Sequence, residues 1–183
     1  MNTSRTLDNK FEELENLLLS KGFEQAQART GVPFIILLYP PEEEIQVRRR
    51  IGTLGKKLES NGWKIQYFEP EPLLFEFLNS KGKGKDVFDA ERQDPKQLRS
   101  NIAVDLFIKR LNELCKEAKN KSVLFVRRAG GFYPHVNIHS LQERLVNVLK
   151  MTTVFFIPAI ETEGNHYLFM GKEKTQKYRG HYI

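Results

Sequence analysis

The stretch VPFIILLYPPEEEIQVRRRIGTLGKKLESNGW, residues 32–63, carries two hydrophobic patterns back to back. Its first part is a continuous apolar run of strand length, without alternation. A strand with one wet face alternates, whereas a strand buried on both faces does not, and burial on both faces belongs to parallel sheets. In its second part Val47, Ile51, Leu54 and Leu58 recur at helical spacing. Prolines and glutamates open that helix, where a missing N–H costs nothing and anions meet the positive end of the dipole. Asn61 and Gly62 close it. A buried strand followed at once by an amphipathic helix is the first half of a strand-helix-strand unit.

The same alternation extends outward. Phe11, Leu14, Leu17 and Leu18 predict a helix over about residues 8–21. After residue 63, KIQYFEP reads as a second strand and EPLLFEFLNS as a short helix. KGKGKDVFDAERQDPK has the composition of an exposed loop, centred on residues 81–95. PKQLRSNIAVDLFIKRLNELCKEAKNK predicts the longest helix, anchored by Leu98, Ile102, Leu106, Leu111 and Leu114. SVLFVRR is a third strand, residues 138–150 a helix on Ile138, Leu141, Leu145 and Val148, and TTVFFIPAI a fourth strand. HYLFM and YRGHYI are short terminal strands or irregular. Strands that alternate with helices predict an α/β fold: a single domain over residues 1–183, with a mainly parallel, doubly wound sheet flanked by helices.

Composition narrows the classes. The 183 residues, 40% hydrophobic and 28% charged, suit one soluble globular core. No apolar run approaches the roughly 20 residues of a membrane helix, and the first residues lack a basic-then-apolar leader. The single cysteine, Cys115, rules out an internal disulfide framework, and a cytoplasmic location is expected. The net charge of +6 invites a nucleic-acid partner, but 23 acidic residues are mixed among the 29 basic ones. The runs VRRR, KGKGK and GKEKTQKYRGH read as solvated faces.

In open parallel sheets ligands sit outside the carboxyl ends of the strands. Those ends carry Tyr39, Pro40 and Glu42, then Glu69, then Arg127 and Arg128, then Pro158 and Glu161. The passage SVLFVRRAGGFYPHVNIHSLQERL starts on this rim. Its diglycine lacks the GxxxxGKS/T spacing of a phosphate loop, so Gly130 and Gly131 read as a sharp turn. His135 and His139 have the i, i+4 spacing of helical metal ligands, but the glutamate of HExxH is missing. Pro134 also puts His135 ahead of the helix, so His139 reads as a hydrogen-bonding residue that fixes the joint. Cys115 reads as a small core hydrophobe, and Ser140 beside His139 is not a triad. No metal or cofactor and no enzymatic activity are expected.

These residues resemble a family. PFIILLYPPEEEIQVRRRIGTLGKKLESNGW, LFVRRAGGFYPHVNIHSL and TTVFFIPAIETEGNHYLFMGKEKTQKYRGHYI are similar, in that order, to the BrxB family of BREX phage-defence systems. The positions that match are Tyr133, Pro134, His139, Pro158, Phe169, Gly171, Tyr178 and Arg179. Asn137 stands where the family usually has arginine, and Ala159 where it has glycine. The resemblance implies a small cytoplasmic component among a phosphatase-like PglZ protein, an ATPase and an adenine-specific DNA methyltransferase. The function it suggests is a non-catalytic adaptor that binds another BREX protein, PglZ favoured. The alternative is a degenerate nucleotide-fold module that touches DNA weakly and without sequence preference. The aromatic-rich tail with Tyr167, Phe169, Met170, Tyr178, Arg179 and Tyr182 is either the partner contact or a cover for a sheet edge. The rim around Arg127, Arg128 and Tyr133 is the next surface.

Overall fold

A computed structural model describes residues 6–20, 30–80, 101–116, 121–133, 136–149 and 151–183. In chain order these form α1 (Leu7–Leu19), β1 (Phe34–Tyr39), α2 (Glu44–Ser60), β2 (Lys64–Phe68), α3 (Pro70–Ser80), α4 (Asn101–Lys116), β3 (Ser122–Val126), α5 (Ile138–Leu145), β4 (Thr152–Glu161), β5 (His166–Phe169), β6 (Glu173–Gln176) and β7 (His181–Tyr182). Short 3-10 turns, Pro41–Glu43 and Ala129–Phe132, follow β1 and β3. The predicted loop around residues 81–95 lies outside the described residues.

The sheet runs β2-β3-β4-β1-β7, and every neighbour on this path is parallel. β5 pairs antiparallel with the end of β4, and β6 with β5. The fold is thus α/β with a mostly parallel seven-stranded sheet, as the unbroken apolar run predicts.

That run packs both ways. Phe34, Ile36 and Leu38 join Leu74, Phe107, Leu111, Leu141 and Leu145 in one core. Ile35, Leu37 and Tyr39 join Phe11, Leu14, Val47, Ile51 and Leu58 in the other. Helices therefore cover both faces: α3, α4 and α5 on the first, α1 and α2 on the second. From β2 to β3 to β4 the chain steps one way over the first face. From β1 to β2 it returns across β4 and β3 over the second. Opposite travel on opposite faces gives every crossover the same hand.

Several boundaries differ from expectation. α5 ends at Leu145, not Lys150, and a turn over residues 146–148 brings Leu149 into the core. The buried stripe of α4 is Val104, Phe107 and Leu111, whereas Leu106 is only half-buried. Leu98 lies outside the described residues. β4 runs through its proline, as TTVFFIPAI predicts, and ends at Glu161. Pro158 is the last residue in register with β1, opposite Tyr39, and the strand then changes partner to β5.

The tail folds back. Tyr167 and Phe169 are buried, and Met170, Tyr178 and Tyr182 pack against the core. β7 pairs with Ile35 and Ile36 on the outer edge of β1. Of the two readings of the aromatic tail, the structure has the edge cover.

Candidate functional site

The carboxyl rim holds a cleft of about 180 Å³ lined by Pro41, Glu44, Arg48, Glu71, Arg128 and Pro158, with Gly130, Gly131 and Met170 closing one side. Topology puts it there. The loop after β1 leads to a helix on one face and the loop after β3 to a helix on the other, so the chain parts above the end of β4. Such a switch point is where open α/β sheets bind ligands.

Arg127 and Arg128 leave β3 at the rim, and carboxylates after β2 meet them. Arg127 Nε lies 2.6 Å from Glu69 Oε1, and its guanidinium lies over the Tyr67 ring, 4.5 Å from the centroid. Arg128 donates from Nη1 to Glu69 Oε2 at 3.1 Å and from Nη2 to Glu71 Oε2 at 3.0 Å. Its backbone is left-handed, φ 55°, a costly conformation for a residue with a side chain. The two carboxylates fix the side chain that results from it. Across the cleft Glu44 accepts hydrogen bonds from the Tyr39 hydroxyl and, at 2.7 Å, from Arg48 Nε. Burial, reinforced by the bond to Glu44, pushes the Tyr39 hydroxyl far above its usual titration range.

The glycines are there for close approach. A Cβ on Gly131 would stand 3.1 Å from Glu71 Cβ and 3.2 Å from Pro70 Cγ; one on Gly130 would meet Met170 Sδ at 3.1 Å. The turn is packed shut against α3 and the residue after β5, and the space a phosphate would take is filled. Of the predicted rim, Tyr39, Glu69, Arg127, Arg128 and Pro158 come together. Glu42 is exposed beside them, and Glu161 sits past the partner change of β4, bonded to Lys177 at 2.8 Å. Glu44, Arg48 and Glu71 were missed, and Met170, read as part of the tail, lies at the rim. For Glu71 the signal was FEPEP, which puts a second carboxylate two residues after Glu69, in the first turn of α3.

At the other end of the passage Asn137 caps α5: its Oδ1 accepts from Ser140 N at 3.1 Å, and its Nδ2 donates to Glu173 at 3.3 Å. The residue that departs from the family pattern is therefore the helix cap. His139 does not fix the joint by a hydrogen bond. Among the described residues its Nδ1 is buried without a partner, and Nε2 is 3.7 Å from Glu143. Instead its ring meets Tyr178 edge-on at 5.2 Å. Tyr133 packs in the same way on Phe169 at 6.0 Å. Arg179 is exposed over the Tyr178 ring, 5.6 Å from the centroid. Pro134 and His135 lie outside the described residues.

Among the described residues no group of three or more His, Cys, Asp or Glu is placed to hold a metal ion, and no helix is long and apolar enough to cross a membrane. Cys115 packs against the core, and burial pushes its thiol up to about 11. A wider groove of about 770 Å³ runs beside β1. Its lysines are engaged, Lys10 with the carbonyls of Leu38 (2.8 Å) and Ile183 (3.3 Å), Lys177 with Glu161.

No curated protein and no solved structure matches the chain. A family model described as BREX protein BrxB matches residues 71–182. The span runs from Glu71, which clamps Arg128, to Tyr182 in β7. It takes in the central passage and the tail and leaves the resembling segment of residues 33–63 outside. Covering more than half of the chain, the match shows that this protein belongs to the BrxB family of BREX phage-defence components.

Proposed function

We propose that the chain acts as a non-catalytic adaptor in its BREX system, binding another BREX protein, PglZ, through the carboxyl rim. The observation that carries this reading is the use already made of the rim's charges. Arg127 is ion-paired with Glu69, Arg128 is hydrogen-bonded to Glu69 and Glu71, and the glycine turn is packed against Pro70, Glu71 and Met170. A nucleotide would have to break those pairs and open that turn. A protein surface needs neither. The half-exposed Arg127, Arg128, Tyr133 and Met170 are of the residue types enriched at interface cores, and they are held rigid before binding. With the tail aromatics in the core, the rim replaces the tail as the contact surface.

The test is co-elution from a sizing column with each BREX neighbour in turn. PglZ is expected to shift with the chain, and Arg128→Ala is expected to weaken the complex at least tenfold with the fold intact by circular dichroism. A wild-type chain that co-elutes with no neighbour sinks the adaptor reading. A complex indifferent to Arg128→Ala and Tyr133→Ala moves the contact away from the rim.

A further inference from the structure

We propose that the rim cleft is a pocket for one uncharged aromatic side chain, phenylalanine or tyrosine, of the protein that docks there, and that Met170 shapes it. The identity of that protein rests on the adaptor reading; the pocket does not.

The backbone singles out Met170. Among the described residues three other than glycine have positive φ, and two of them, Arg128 (55°) and Met170 (53°), line this one cleft. Backbone held in that region is strained, and such residues gather at binding sites. Lys172 N bonds Phe169 O at 3.0 Å, and both residues between them, Met170 and Gly171, have positive φ, 53° and 68°. That is the type I′ pattern, whose preferred pair is Asn-Gly. The turn has its glycine, but a methionine stands where asparagine is least strained. The side chain explains the choice. A Cβ on Gly130 would stand 3.1 Å from Met170 Sδ and 3.6 Å from Pro158 Cγ, so the thioether lies across the diglycine turn beside the proline ring. Met170 is only half-buried there and forms one wall of the cleft.

Size and charge name the occupant. At about 180 Å³ the cleft falls short of the roughly 300 Å³ at which pockets for small molecules and cofactors begin. It suits a single side chain. Its two carboxylates are each matched by an arginine, Glu44 by Arg48 at 2.7 Å and Glu71 by Arg128 at 3.0 Å. An entering cation would meet two guanidinium groups and an entering anion two carboxylates, so an uncharged group fits. The walls then choose a ring over an aliphatic chain. The sulfur of Met170 favours the edge of an aromatic ring, and the guanidinium groups of Arg48 and Arg128 favour its face. Pro41 and Pro158 add apolar surface that any uncharged group would use.

The full chain with isotope-labelled methionine methyl groups reads the pocket by NMR. The probe is p-cresol, the tyrosine side chain as a free molecule. It should shift the Met170 methyl signal saturably and leave the signal of the buried Met151 in place. Absence from the spectrum of Met170→Asn identifies the Met170 signal. No saturable shift, or an equal shift with aliphatic isobutanol, would overturn the proposal. Met170→Asn also gives the turn its preferred pair. It should melt no lower than the wild type and yet bind PglZ about tenfold more weakly or worse, as for loss of an interface anchor. A stable variant that binds PglZ unchanged overturns the role of Met170, and one that loses stability assigns the residue to the core instead. The two readings fail separately. If no PglZ complex forms while p-cresol still shifts Met170, the pocket stands and the adaptor reading falls. If PglZ binding depends on Arg128 but p-cresol shifts nothing, the pocket falls and the rim contact stands.

Discussion

On one side of the sheet the core strand β1 is covered by chain that comes from far away. β7 lies along it, Ile183 N bonds Ile36 O at 2.9 Å, and Lys10 from α1 takes the next carbonyl. On the other side β2 ends the sheet with outward backbone groups that no described residue takes up. The first edge belongs to the wholly buried strand, on whose stripes both cores rest. The second belongs to a strand with burial on alternate residues. An uncovered β1 would expose apolar surface on both faces, so it is closed within the chain.

The largest effect should come from removing the closed edge. Deleting residues 172–183 takes away β6, β7, the buried Thr175 and Ile183, and the aromatic cover of Tyr178 and Tyr182. The truncated chain should lack a cooperative thermal transition by circular dichroism. A sharp melt in that variant would show that the tail is not part of the core. Ile65→Pro at the other edge removes only an N–H turned away from β3 and should keep a cooperative melt, so the contrast between the two variants measures the difference between the edges.

A smaller effect tests how the closed edge is tied to the joint after β3. His139 touches Tyr178, four residues before Tyr182, whose hydroxyl accepts from Tyr178 N at 2.9 Å. Losing an edge-on ring contact costs about 0.5–1.5 kcal/mol, so His139→Ala should lower stability in urea by about 1 kcal/mol. His139→Phe keeps the ring contact and removes a buried unbonded nitrogen, and it should be as stable as the wild type. If the Phe variant loses as much as the Ala variant, a ring nitrogen carries a hydrogen bond and the packing account is wrong.

What the sequence disclosed follows the strength of its patterns. β1 and α2 were legible because neither an unbroken apolar run nor a four-point stripe fits another element. The rim was legible because topology alone assigns the carboxyl ends of parallel strands. β6 was not: in EKTQ only Thr175 is buried, and a run with two charges in four residues resembles a solvated face. The extent of β4 was legible in TTVFFIPAI, but not that Pro158 marks a change of partner. For α4 the leucines suggested a stripe through Leu106, but Phe107 fills more of the core against Phe68 and Phe132, and the helix turns to suit it. His139 was misread because its place near a helix start suggested a hydrogen bond that fixes the joint, whereas Asn137 caps the helix and the histidine ring packs on Tyr178.

The smallest effect concerns the basic segments. On the closed side the charges of VRRR and its helix serve the fold: Arg50 pairs with Asp8 and Lys57 with Glu15, tying α2 to the helix that supplies Lys10. Arg48 is held by Glu44 at 2.7 Å, and in the tail Lys177 is held by Glu161 at 2.8 Å. Exposed cations such as Arg49, Lys172 and Lys174 remain for a polyanion. With few phosphates neutralised, binding to duplex DNA should be weak and independent of sequence, with a log–log salt slope of only about −2 to −3. Arg49→Ala and Lys174→Ala should each flatten that slope by about one and change stability by less than about 0.5 kcal/mol. Arg50→Ala should instead lower stability by up to about 1 kcal/mol, the upper range for an exposed pair, and leave the slope unchanged. Filter binding across a salt series reads the slopes, and urea melts read the stabilities. Tight retention of one duplex sequence at physiological salt would mean that these charges form a designed nucleic-acid surface, and the division between structural and free cations would fail.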